Sequence, residues 1–157
     1  MEEYNNQDPH SNGIPIDFAF RFEYHSNEKA PGGYYEYVIE IAPDGSGEIR
    51  FRRDYEANLP DEFVGIFDPD DSTLDHVYRL MYSAGFYEPV WQPPRLKARP
   101  GDSTARLEVT CGGNFFEITP SRFEALEDSA DALYEAIRSL APETTWKKIE
   151  KQFPPSA

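Results

Sequence analysis

Cysteine is nearly absent: Cys111 stands alone, which excludes an internal disulfide and a thiolate metal cluster within one chain. Histidine is scarce too, and His10, His25 and His76 have no His or Cys neighbour at metal-pair spacing. Bases are few, with 15 Lys and Arg against 29 Asp and Glu and a formal net charge of −14. Such a surface repels phosphate backbones and anionic lipid headgroups, so nucleic acid and membrane surfaces are poor partners. No apolar run approaches the roughly 18 residues a membrane-spanning helix needs. Met1 to Gly13 contains no apolar core of a signal peptide, so the expected compartment is the cytoplasm. Phosphate-binding glycine motifs and the G-x-S-x-G nucleophile elbow are missing as well. Ser46 lies in a Gly-Ser-Gly turn, and Gly32-Gly33 and Gly112-Gly113 read as loop or hairpin glycines.

Aromatic residues are plentiful. Ten Tyr and eleven Phe can build a core despite a modest apolar fraction, since each buries roughly 150–250 Å². The 157 residues suit one domain. Residues 1–14 are polar and read as a disordered tail, 15–153 as a single domain, and 154–157 as a frayed end.

Apolar residues alternate from Asp17 to Tyr24, with Phe18, Phe20, Phe22 and Tyr24 on one side. Period two predicts a strand with one buried face. Tyr34 to Ile41 repeats the pattern, the turn Pro43-Asp44-Gly45-Ser46-Gly47 follows, and Glu48 to Arg53 returns. The outward Arg50 and Arg52 are expected to face Glu36 and Glu40 across this hairpin. Phe63 to Phe67 reads as a short buried strand. Leu74, Val77, Tyr78 and Met81 recur at helical spacing after a cap at Asp71 or Ser72, and Gly85 ends the helix. Residues 86–104, with four prolines, read as a long loop. A second hairpin, Ala105 to Cys111 and Asn114 to Ile118, precedes a helix opened by Thr119-Pro120. That helical pattern breaks near Asp128-Ser129 and resumes to Leu140, and Pro142 opens a last helix with Trp146, Ile149 and Phe153 as its buried stripe. The expected class is α+β: an antiparallel sheet of five to six strands with two to three helices on one face, in two hairpin–helix halves.

The succession YEYVIEIAPDGSGEIRF, LDHVYRLMYSAGFYE and LEVTCGGNFFEI before a closing helix resembles a group of uncharacterised small bacterial α+β domains. The resemblance covers roughly residues 34–140. It is one of pattern and implies the architecture; the group carries no assigned activity, so it implies no chemistry.

Candidate sites come from charge. From Asp54 to Asp75 the chain carries acids and no Lys or Arg. Asp61, Glu62, Asp68, Asp70 and Asp71 form a candidate face for a basic partner. Asp70, Asp71 and Asp75 equally suit the first turn of a helix, where acids favour the positive end of its dipole. Asp68, Asp70 and Asp71 offer oxygen ligands, but the glycine and distant glutamate of a calcium loop are missing, so no metal is expected. The loop around Trp91 and Arg95, rich in proline and bases, is a second candidate surface. Cys111 lies on the apolar face of a strand, where a thiol is inert. These readings favour a non-enzymatic acidic interaction module without cofactor, such as an immunity- or antitoxin-like binder of a basic protein. The alternatives are a small-molecule-binding domain or enzyme with a pocket near the Trp91 loop, and a structural subunit of an assembly.

Overall fold

The computed structural model describes residues 14–26, 34–53, 62–88, 104–127 and 129–153. Asp61, Trp91 and Arg95, the tail 1–13 and the end 154–157 lie outside the described residues. Strands β1 (Ala19–His25), β2 (Tyr35–Ile41), β3 (Gly47–Arg53) and β4 (Phe63–Phe67) precede helix α1 (Asp71–Ser83). Strands β5 (Thr104–Cys111) and β6 (Asn114–Ile118) follow, then α2 (Pro120–Glu124), α3 (Ser129–Arg138) and α4 (Glu143–Gln152). All pairings are antiparallel and the sheet order is β4-β3-β2-β1-β5-β6. The α+β class is as the sequence implies, with four helices among the described residues where two to three were expected. The halves are unequal, because four strands precede α1 and two follow it.

Alternation decides which face is covered. Phe20, Phe22, Tyr37, Ile39, Ile41, Ile49, Phe51, Leu107, Val109 and Ile118 point to one side and are buried. Every helix packs there. Tyr78 of α1 meets Phe18 edge-on at 5.2 Å, and Phe123 of α2 and Tyr134 of α3 lie 6.1 Å from Phe22. From α4, Trp146 meets Tyr37 at 5.3 Å, and Phe153 just past the helix meets Phe51 at 5.6 Å. Such aromatic pairs add about 0.5–1.5 kcal/mol each beyond the area they bury.

Local chemistry fixes the ends. Asp70, one residue before the expected cap, accepts the N–H of Thr73 and opens α1. Gly85, at φ +78°, follows its close. Arg122 is buried and donates from Nη2 to the Gly85 carbonyl at 2.7 Å, tying α2 to the end of α1. Gly112 and Gly113 turn the β5–β6 hairpin at positive φ, and their N–H groups donate to the two Asp17 oxygens at 2.8 and 2.7 Å. That carboxylate anchors the hairpin to the start of β1.

Three expectations need correction. Phe63–Phe67 is a strand but not a buried one: it forms one edge of the sheet, and only Phe67 of the five is buried. Arg52 does face Glu36, with an ion pair of 3.5 Å, but Glu40 faces Glu48, and Arg50 lies opposite Val38. β1 runs one residue past the expected Tyr24 and closes at His25. Among the described residues no helix is long and apolar enough to cross a membrane.

Candidate interaction surface on the open sheet face

Among the described residues no element covers the side of the sheet away from the helices. One row of register partners crosses all six strands as Ile66–Glu48–Glu40–Arg21–Glu108–Glu117. It contains two like-charged pairs directly opposite each other, Glu40 with Glu48 and Glu108 with Glu117. Direct like-charge pairs disfavour the sheet that holds them. The cations nearby are already engaged. Arg50 reaches Glu48 at 2.9 Å and Glu62 at 3.2 Å, Arg21 reaches Glu23 at 3.5 Å, and Arg106 reaches Glu117 at 3.6 Å. These pairs are 28–53% exposed, and exposed pairs of this kind contribute about 0–1 kcal/mol. Glu40 and Glu108 have no ion pair with a described residue. A shallow hollow of about 250 Å³ lies at the β2–β3 turn, lined by Glu40, Glu48, Ile66, Gly47, Ser46 and their neighbours.

Strand β4 borders this face. Its outward side chains are Val64 and Ile66, 49% and 80% exposed. The same alternation continues to Glu62 before the strand and Asp68 after it, both exposed. Along the edge the outward order is therefore acid, apolar, apolar, acid. The inner side of β4 is built by close packing. Phe67 lies opposite Gly47, and a Cβ on Gly47 would stand 2.5 Å from its ring. The Phe63 ring lies over Gly65 in the same way, 2.8 Å from where a Cβ would stand.

The acids singled out from sequence divide between two roles. Glu62 and Asp68 flank the edge strand. Asp70 caps α1: its carboxylate accepts the Ser72 hydroxyl and the Thr73 N–H, and these bonds hold its pKa below the ordinary 3.8. Asp71 is the exposed first residue of α1. Periodicity gave no sign of Glu40, Glu48, Val64 and Ile66 as one surface, because strand pairing brings them together.

Elsewhere, the Cys111 thiol and the His25 ring have partners within the fold. Cys111 is buried, with Sγ 3.9 Å from the Tyr78 hydroxyl, and burial raises its thiol pKa. His25 Nδ1 lies 2.7 Å from the Tyr34 hydroxyl and 3.2 Å from Glu36. A groove of about 600 Å³ separates α3 and α4. Its Arg138 stacks 4.1 Å over Trp146, whose indole N–H donates to the Arg138 carbonyl at 2.9 Å. Among the described residues no group of three or more His, Cys, Asp or Glu is placed to hold a metal ion. The chain matches no protein-family model and no curated protein sequence.

Proposed function

We propose that this chain is a non-enzymatic protein-interaction module that binds a basic partner protein through the β4 edge and the open sheet face beside it. The carrying observation is the line Glu62–Val64–Ile66–Asp68 bordering a face that no described element covers and that opposes Glu40 to Glu48. Exposed apolar residues supply burial on docking, at about 25 cal/mol per Å². The surrounding carboxylates supply steering toward a cationic surface and selection against an anionic one. Glu48 is held by Arg50 at 2.9 Å, whereas Glu40 has no ion pair with a described residue and is the carboxylate of this row that an incoming cation would meet. An immunity- or antitoxin-like inhibitor covering a basic protein is one concrete form of this reading. The rival pocket near Trp91 rests on residues outside the described ones, and in the α3–α4 groove Arg138 is stacked over Trp146, whose indole N–H donates to the Arg138 carbonyl.

The test is affinity capture from native lysate with the wild type and with a Glu48→Lys/Glu62→Lys/Asp68→Lys variant, at low and at moderate salt. A basic protein enriched by the wild type at low salt, and lost both in the variant and as salt rises, supports the reading. Enrichment of no basic protein, or equal capture by the variant, overturns it.

A further inference from the structure

Among the described residues strand β4 ends the sheet, so roughly half of its backbone N–H and C=O groups point away from β3 toward no described strand. Natural edges are usually blunted by charge, proline or a bulge. Phe63-Val64-Gly65-Ile66-Phe67 has no charge and no proline, and every residue pairs in unbroken register with β3. Its two outward side chains are apolar and exposed. An edge of this kind accepts an added strand, with main-chain hydrogen bonds giving affinity and alternate side chains giving selectivity.

Two occupants suit an apolar edge, a second copy of this chain or a strand from another protein. Charge decides between them. The segment reads almost the same in both directions, so two copies would pair antiparallel about Gly65, Val64 facing Ile66. That register places Glu62 of one copy directly opposite Asp68 of the other, at both ends of the pairing. Glu62 keeps an exposed pair with Arg50 at 3.2 Å, which contributes little and offsets only part of this opposition. Like charges directly opposite disfavour a strand pair, and a protein of net charge −14 repels its own copy at longer range as well. A strand with a base at each of those two positions reverses the sign at both ends.

Resting on the basic-partner reading above, we infer that the partner docks by strand addition to β4, through an extended segment with apolar residues at i+2 and i+4 and Lys or Arg at i and i+6. The two central residues cover Val64 and Ile66. The two bases meet Asp68 and Glu62, and the one beside Asp68 lies next to the Ile66–Glu48–Glu40 hollow. The intervening residues fall on the helix side of the sheet, level with Phe63, Gly65 and Phe67.

The experiment is hydrogen exchange on the full chain with a capped peptide, Lys-Thr-Val-Thr-Ile-Thr-Lys, and a control in which both lysines are glutamate. With the lysine peptide at about ten times its Kd, exchange at β4 amides exposed on the outer edge slows about tenfold. The glutamate peptide and an Ile66→Lys chain show no such slowing. Slowing with the glutamate peptide as well overturns the charge pattern. Slowing without peptide, together with a doubled mass, overturns the heterologous occupant in favour of a second copy. Binding that leaves β4 unprotected while perturbing the open face overturns strand addition and leaves the basic-partner reading standing. No binding anywhere at about 1 mM lysine peptide overturns strand addition, and the affinity capture then decides separately whether the basic-partner reading falls with it.

Discussion

Replacing Gly47 with alanine probes how the edge strand is held. The new Cβ would stand 2.5 Å from Cε2 and 2.6 Å from Cζ of Phe67, whereas carbon atoms rest at about 3.5–4.0 Å. Roughly 1 Å must be found, either by pushing β4 outward or by swinging the ring. Phe67 is only 5% exposed, so both routes cost. Overpacking that displaces backbone costs about 1–3 kcal/mol, and expelling the ring forfeits about 1.5–3 kcal/mol of burial. Gly47→Ala should therefore destabilise by about 1–3 kcal/mol. Phe67→Ala alone should cost about 3–5 kcal/mol. In that background the obstacle is gone, and alanine within a strand is preferred to glycine by about 0.5–1 kcal/mol. Urea unfolding of the wild type, both single variants and the double variant measures the coupling, expected at about 1.5–4 kcal/mol. If Gly47→Ala costs the same with and without the Phe67 ring, the ring does not clamp β4 over the glycine and the reasoning fails.

Other outcomes follow from the same structure. Arg122→Ala removes a charged donor from the Gly85 carbonyl and should cost about 2 kcal/mol in chemical unfolding. Asp70 has a folded pKa below its ordinary 3.8, so its contribution is present above that value and fades as pH falls toward the folded pKa. Unfolding measured across acid pH should show the gap between wild type and Asp70→Asn narrowing in that window. Burial raises the Cys111 thiol pKa, so a thiol reagent at mildly alkaline pH should label it slowly in the native protein and promptly once unfolded. Ile66→Lys, at an exposed edge position, should change stability by no more than about 0.5 kcal/mol in the same unfolding assay.

Period-two alternation in β1, β2, β3 and β5 was legible because one face of each strand is buried and the other is wet. The helix stripe Leu74, Val77, Tyr78 and Met81 was legible for the same reason, and all four are buried in α1. The edge position of β4 was not. An uninterrupted apolar run reads as buried, and strand order decides otherwise. The Glu40–Glu48 pair was hidden by register: Ile41 pairs with Gly47 across the residues 42–46, which aligns glutamate with glutamate. The acids near the candidate surface were visible as a charge run. Sequence did not separate the helix-capping role of Asp70 from the strand-flanking positions of Glu62 and Asp68, since that division depends on where β4 stops and α1 starts.

The most direct test of an acidic docking surface is the association rate of the captured partner as ionic strength rises from about 0.01 to 0.15 M, where the Debye length shrinks from about 30 to 8 Å. Electrostatic steering by this surface predicts a steep fall in the on-rate with little change in the off-rate, and a flatter dependence for the Glu48→Lys/Glu62→Lys/Asp68→Lys variant. An on-rate indifferent to salt, or a variant that follows the wild-type curve, would contradict it.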